Sequence, residues 1–136
     1  MLNSLQNPFS LAGRWLLAAL FLPAGIAKIS GFAGTVSYIN SVGLPFPTLG
    51  ALIALVVEVL CGLALVVGFG TRIAALILAI FTLVATFFFH PYWNVSPDQQ
   101  LIPFLLFYKN IAVVGGLLIL AAFGPGGWSI DAKRTN

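Results

Sequence analysis

Four blocks of apolar residues stand out along the chain, roughly residues 10–29, 48–69, 72–89 and 101–123. Each is close to the ~20 residues that an α-helix needs to cross ~30 Å of hydrocarbon. Hydrocarbon offers no partner to an open backbone amide, so such runs form helices, and the lack of strand-length alternation argues against a barrel. The breaks are polar or rich in Gly and Pro. "SGFAGTVSYINSVGLPFP" separates the first two blocks, "GFGTR" the second and third, "HPYWNVSPDQQ" the third and fourth, and "FGPGGWSIDAKRTN" ends the chain. The pattern predicts an all-α integral membrane protein, four transmembrane helices in an antiparallel bundle, with residues 1–136 as a single domain.

The shortest break forces the second and third helices to be antiparallel neighbours. The longer one, residues 30–47, is roomy and amphipathic; it lies on the membrane surface or folds into the bundle mouth. The first block has no basic run before its apolar core, and Arg14 and Lys28 fall near its two ends. It reads as a retained helix rather than a cleaved leader. "GLALVVGFG" (62–70) and "GLLILAAFG" (116–124) share four of nine positions. A duplicated helical hairpin and chance recurrence of Leu, Gly and Ala both account for that.

Composition supports the membrane assignment. The chain is 60% hydrophobic and 7% charged, against about 45–50% and about 25% in soluble domains. The net charge is +3, but the basic residues are too few and too scattered for a nucleic-acid face. They report orientation instead. Four crossings put both termini and "GFGTR" on one side, with Arg14, Arg72, Lys133 and Arg134, while Lys28 and Asp98 fall on the other. That asymmetry predicts cytoplasmic termini. Cys61 is the only cysteine and His90 the only histidine, so neither an internal disulfide nor a four-ligand zinc site is expected.

Glu58 lies near the middle of the second block. An ionised group there costs ~3 kcal/mol on insertion scales, so it should face the bundle and have a partner. Lys109 matches its depth. Helices two and four run in the same direction, Glu58 is 12 residues before Gly70, and Lys109 is 15 before Gly124. The offset is only ~4.5 Å at ~1.5 Å per residue. The expectation is a Glu58–Lys109 pair, with Arg14 and Lys28 as rivals. Asn110, turned ~100° from Lys109, is expected to hydrogen-bond a neighbouring helix. Arg72 reads as an interfacial anchor that snorkels. His90 reads as a polar helix end or a proton relay, and Cys61 as a packing residue. Gly62, Gly68, Gly115 and Gly116 invite close helix approach, and Pro23 a kink. Structural glue and a functional polar site both remain open for the charged pair.

Five stretches carry a family resemblance: "RWLLAALFLPAGIAKISGFAG", "VEVLCGLALVVGFGTRIAAL", "FFFHPYW", "YKNIAVVGGLLIL" and "FGPGGWSID". In this order and spacing they resemble the DoxX family and cover nearly the whole chain. The resemblance implies a four-helix bacterial membrane protein, linked by name to quinone-reducing sulfur oxidation and by association to redox-stress complexes. It also implies that Arg14, Lys28, Glu58, Arg72, Lys109 and Asn110 occupy the family's characteristic polar positions.

The combined expectation is an inner-membrane accessory or ligand-binding subunit of a redox system. Its polar intramembrane site would be drawn from Glu58, Lys109, Asn110, Arg14, Lys28 and His90, with a quinone as the candidate ligand. No haem, flavin or iron–sulfur ligand set is present, so electrons would need a membrane or peripheral redox partner rather than a stand-alone enzyme. The lipid bilayer is its solvent, and an oligomer is compatible with it. A small proton or solute transporter or channel, and a structural assembly factor, are the alternatives.

Overall fold

The computed structural model describes residues 2–134, of which the bulk is helical and none forms a strand. A 3₁₀ turn, Leu2–Leu5, leads into α1, Gln6–Ser30. A short α2, Phe32–Ser41, follows. Then come α3, Pro47–Val67, α4, Thr71–Phe89, and α5, Leu101–Phe123. A 3₁₀ turn, Tyr92–Asn94, lies between α4 and α5, and a final turn of helix, α6, spans Ile130–Arg134. The four long helices α1, α3, α4 and α5 are long and apolar enough to span a bilayer. Their bounds match the four apolar blocks, except that α1 starts at Gln6 rather than near Ser10 and α3 stops at Val67, short of Phe69.

The spanning helices form a ring. α1 packs on α3, α3 on α4, α4 on α5 and α5 back on α1. In such an up-down-up-down ring the two parallel helices, α3 and α5, sit on a diagonal. The core lies toward the end that carries the termini. Ala18, Phe21, Leu65, Ala75, Leu78 and Leu117 fill it, and Leu65, Leu78 and Leu117 have no exposed surface. Large apolar side chains such as Leu16, Ile73 and Ile119 cover the outside, as lipid requires.

Backbone ends are satisfied by side chains at that same end of the bundle. The last carbonyls of a helix lack intrahelical donors. Arg14 supplies them for α3, with Nη1 donating to the Leu65 and Val66 carbonyls at 2.7 and 3.1 Å. Its Nη2 donates to the Trp128 carbonyl at 2.6 Å. Arg72 does the same for α5, with Nη1 donating to the Ala122 carbonyl at 2.7 Å. Each hairpin thus carries, near the start of its first helix, an arginine that closes the end of its second. This likeness favours the duplicated-hairpin reading of the short sequence echo.

The opposite problem, free N–H groups at a helix start, is solved by Asp131. Its carboxylate accepts the Gly70 and Thr71 N–H groups at 2.7 and 2.9 Å, at the start of α4. Its own N–H donates to the Gly68 carbonyl at 2.8 Å. Gly68 is left-handed at φ +72°, and a side chain there would collide with Ser129 and Arg14. Burial of the Asp131 carboxylate opposes ionisation, but the Thr71 and Gly70 N–H groups outweigh it and hold the pKa below its ordinary value. The C-terminal tail is therefore part of the bundle's closed end.

Candidate functional site

The other half of the bundle is hollow. A cleft of about 930 Å³ opens among α1, α2, α3, α4 and α5. Its walls are mostly apolar, with Phe21, Phe81, Phe88 and Phe89 among them. Polar groups reach it from different elements: Lys28 from the end of α1, Glu58 from α3, Thr82 from α4, His90 from the residue after α4, and Lys109 and Asn110 from α5. Five of the six residues singled out in the sequence therefore share one cavity. Arg14 does not. It is buried at the closed end, where its guanidinium donates to backbone carbonyls.

The ion pair differs from expectation. Glu58 pairs with Lys28, not Lys109, with Lys28 Nζ at 2.7 Å from Glu58 Oε2. α3 and α5 are diagonal partners, and Glu58 and Lys109 both line the cleft without pairing. Lys28 falls near the end of α1, and that end would lie away from the level of Glu58 only if every helix ended at the same depth. Gly25 lies level with Glu58, since a Cβ on it would come within 3.0 Å of the Glu58 Cβ. From that level α1 runs only ~7 Å further, while α3 starts ~16 Å away, at ~1.5 Å per residue. α1 stops short, and α2 covers the gap.

Local structure around Glu58 is adapted to the pair. α3 contains a π turn, Val57–Cys61, whose first turn holds Glu58. Such turns insert an extra residue into a helix and recur at functional sites. Gly25 of α1 meets its Val59, and Gly62 meets Leu22 of α1, each with less than 3.0 Å of room for a Cβ. These two glycines bring α1 onto α3 on either side of the ion pair. Close approach was expected at Gly62 and is found there. Gly115 has open space around it, and Gly116 only an ordinary contact with Leu17. Lys28 Nζ also donates to the Ala24 carbonyl at 3.4 Å. The helix continues through Pro23, whose missing N–H leaves the Ala19 carbonyl free of its usual helical bond.

The side chains of Lys109 and Asn110 line the cleft without a hydrogen bond or ion pair to another described residue. The expected bond from Asn110 to a neighbouring helix is not made, because its side chain borders empty space rather than a helix. Thr82, only 5% exposed, also lines the cleft, and its hydroxyl finds no partner among the described residues. Thr82 carries no mark in the sequence, since a hydroxyl in an apolar helix usually bonds its own backbone, as Thr86 does to the Thr82 carbonyl at 2.6 Å. Thr35 and Tyr38 of α2, which form one wall, are equally unmarked as single residues. Tyr38 stacks on Phe89 with ring centroids 5.1 Å apart. The amphipathic character of residues 30–47 was the available signal for that wall.

The DoxX family model matches residues 9–91. The chain belongs to the DoxX family. The matched span includes Lys28, Glu58, Thr82 and His90 of the cleft and stops before Lys109 and Asn110. Inner membrane protein YqjF of Escherichia coli is 40% identical over 132 residues, covering 96% of this chain and 95% of that protein. Inner membrane protein YphA of the same organism is 37% identical over 123 residues, covering 90% and 88%. A Surfeit locus protein 4 homolog of Drosophila melanogaster is 30% identical over 134 residues, but the match spans 43% of that longer protein. No solved structure matches the chain. Four apolar helices and these relatives make it a multi-pass inner-membrane protein.

Proposed function

We propose that this DoxX family member binds a small, largely apolar ligand with a polar head, of the quinone type, and serves a membrane redox system as a ligand-binding subunit. The observation that carries the reading is the convergence of Lys28, Glu58, His90, Lys109 and Asn110 on one apolar-walled cleft of about 930 Å³. Ligand sites have this make-up, an apolar lining with a few placed polar groups, and a volume in this range holds a ligand of drug size. The phenylalanines suit a flat ring, and the charged groups suit carbonyl or hydroxyl oxygens at one end. The chain's own residues supply binding and orientation. Electron transfer would fall to a partner protein.

The packed layer of Leu65, Leu78 and Leu117 closes the bundle between the cleft and the termini, which favours a binding cleft over a channel. In this reading both termini face the cytoplasm and the cleft lies in the outer half of the membrane, in accord with the basic residues at the closed end. The test is titration of the purified protein in nanodiscs with a short-chain quinone, followed by calorimetry. Saturable binding is expected, weakened at least tenfold by Ala85→Phe, which fills the cleft. Absence of saturable binding, or equal binding by Ala85→Phe, would reject the reading.

A further inference from the structure

The charges in the cleft do not cancel. It is lined by two lysines and one glutamate. Lys28 is neutralised by Glu58 at 2.7 Å. The chain has only three acidic side chains. Asp98 is exposed in the α4–α5 connection and does not line the cleft. Asp131 is at the far end of the bundle, bound to the Gly70 and Thr71 N–H groups. No acidic side chain is left for Lys109. Lys109 is exposed on the protein, but it lies in the membrane-spanning α5, where hydrocarbon hydrates a cation poorly and its attraction to an opposite charge is strengthened, so it calls for an anion.

Neutral donors reinforce the asymmetry. The Asn110 amide carries two N–H donors and makes no hydrogen bond to a described residue. The Thr82 hydroxyl is buried, lines the same space and is unpartnered among the described residues. A lysine, an amide and a hydroxyl together form a donor set suited to an oxygen anion. The one acidic acceptor in the cleft, Glu58, is already engaged. We infer that the ligand of this cleft is an apolar molecule with a single oxyanion head, a carboxylate or an ionised enol or phenol, and that Lys109 is its counter-ion.

This inference rests on the ligand-binding reading of the cleft, and the experiment separates the two. Wild-type protein in nanodiscs is titrated with two matched pairs at mildly alkaline pH. One pair is an alkyl carboxylate and the alcohol of equal chain length. The other is a 2-hydroxy-3-alkyl-1,4-naphthoquinone, anionic under these conditions, and its neutral 2-methoxy ether. The anion of at least one pair should bind ten times or more tighter than its neutral twin, and the favoured pair tells a chain from a ring. Lys109→Gln should remove that preference, and Lys109→Arg should keep it. Equal binding of anion and neutral twin in both pairs overturns the inference and leaves the cleft reading standing. So does a preference that survives Lys109→Gln. Failure of all four compounds to bind rejects both.

Discussion

Glu58 and Lys28 form the one ion pair seen among the described residues, and both are largely withdrawn from solvent. Removing one partner of a buried pair strands the other charge, at a cost of ~3–5 kcal/mol when burial is complete. Lys28 keeps about a fifth of its side chain exposed, so the cost here falls toward or below the low end. Glu58→Gln and Lys28→Met should each lower the stability of the detergent-solubilised protein, and the double variant should recover much of the loss. A double-mutant cycle should give a coupling of about 1–3 kcal/mol. The cycle of Glu58→Gln with Lys109→Met should be additive within about 0.5 kcal/mol. The two arginines of the closed end differ in the same way. Arg14 is 1% exposed and serves three carbonyls, so Arg14→Lys should cost about 2–3 kcal/mol by leaving buried acceptors unpaired. Arg72 is exposed, and Arg72→Lys should cost about 1 kcal/mol or less. A larger loss for Arg72→Lys than for Arg14→Lys would contradict this assignment of roles.

At the scale of elements, the contact of α1 with α3 holds the ion pair in register. Gly25 leaves only 3.1 Å between a would-be Cβ and the Val59 backbone nitrogen, and backbone does not yield as a flexible side chain does. Gly25→Leu should therefore cost about 1–3 kcal/mol through overpacking and abolish the Lys28–Glu58 coupling. Persistence of that coupling in the variant would show that the glycine does not set the register. The docking of α6 and the tail should respond to acid. The Asp131 pKa is lowered on folding, so its contribution is complete at neutral pH. It is lost as the pH falls below the ordinary carboxylate value and through the lowered one. Proteolysis near Trp128 should rise in that acid range and should be high at all pH values in Asp131→Asn. A tail equally protected at neutral pH in both proteins would show that the carboxylate does not hold it.

Across the whole molecule, a packed half carries the termini and a hollow half carries the polar groups. The four spanning helices were legible because lipid imposes a length and a composition that a sequence displays openly. The membership of the cleft was largely legible too, since Glu58, Lys109, Asn110, Lys28 and His90 are costly in an apolar setting and so point inward. The pairing was not, because it depends on α1 stopping short and on which helices share an edge of the ring, neither of which leaves a mark in residue type. Arg14 looked like a site residue for the same reason that the others did; its target, the carbonyls ending α3, is backbone and has no sequence signature. Reporter fusions after residues 40, 70, 95 and 136 should place the positions after 70 and 136 in the cytoplasm and those after 40 and 95 outside. An external signal after Gly70 would invert the orientation.

Native mass spectrometry of protein extracted in mild detergent decides whether the hollow half is a ligand site. Wild type should carry a small apolar molecule near one per chain, and Ala85→Phe should be largely free of it while remaining folded. A wild-type protein with no bound molecule, or with the same bound species at the same stoichiometry as the filled variant, would contradict the claim.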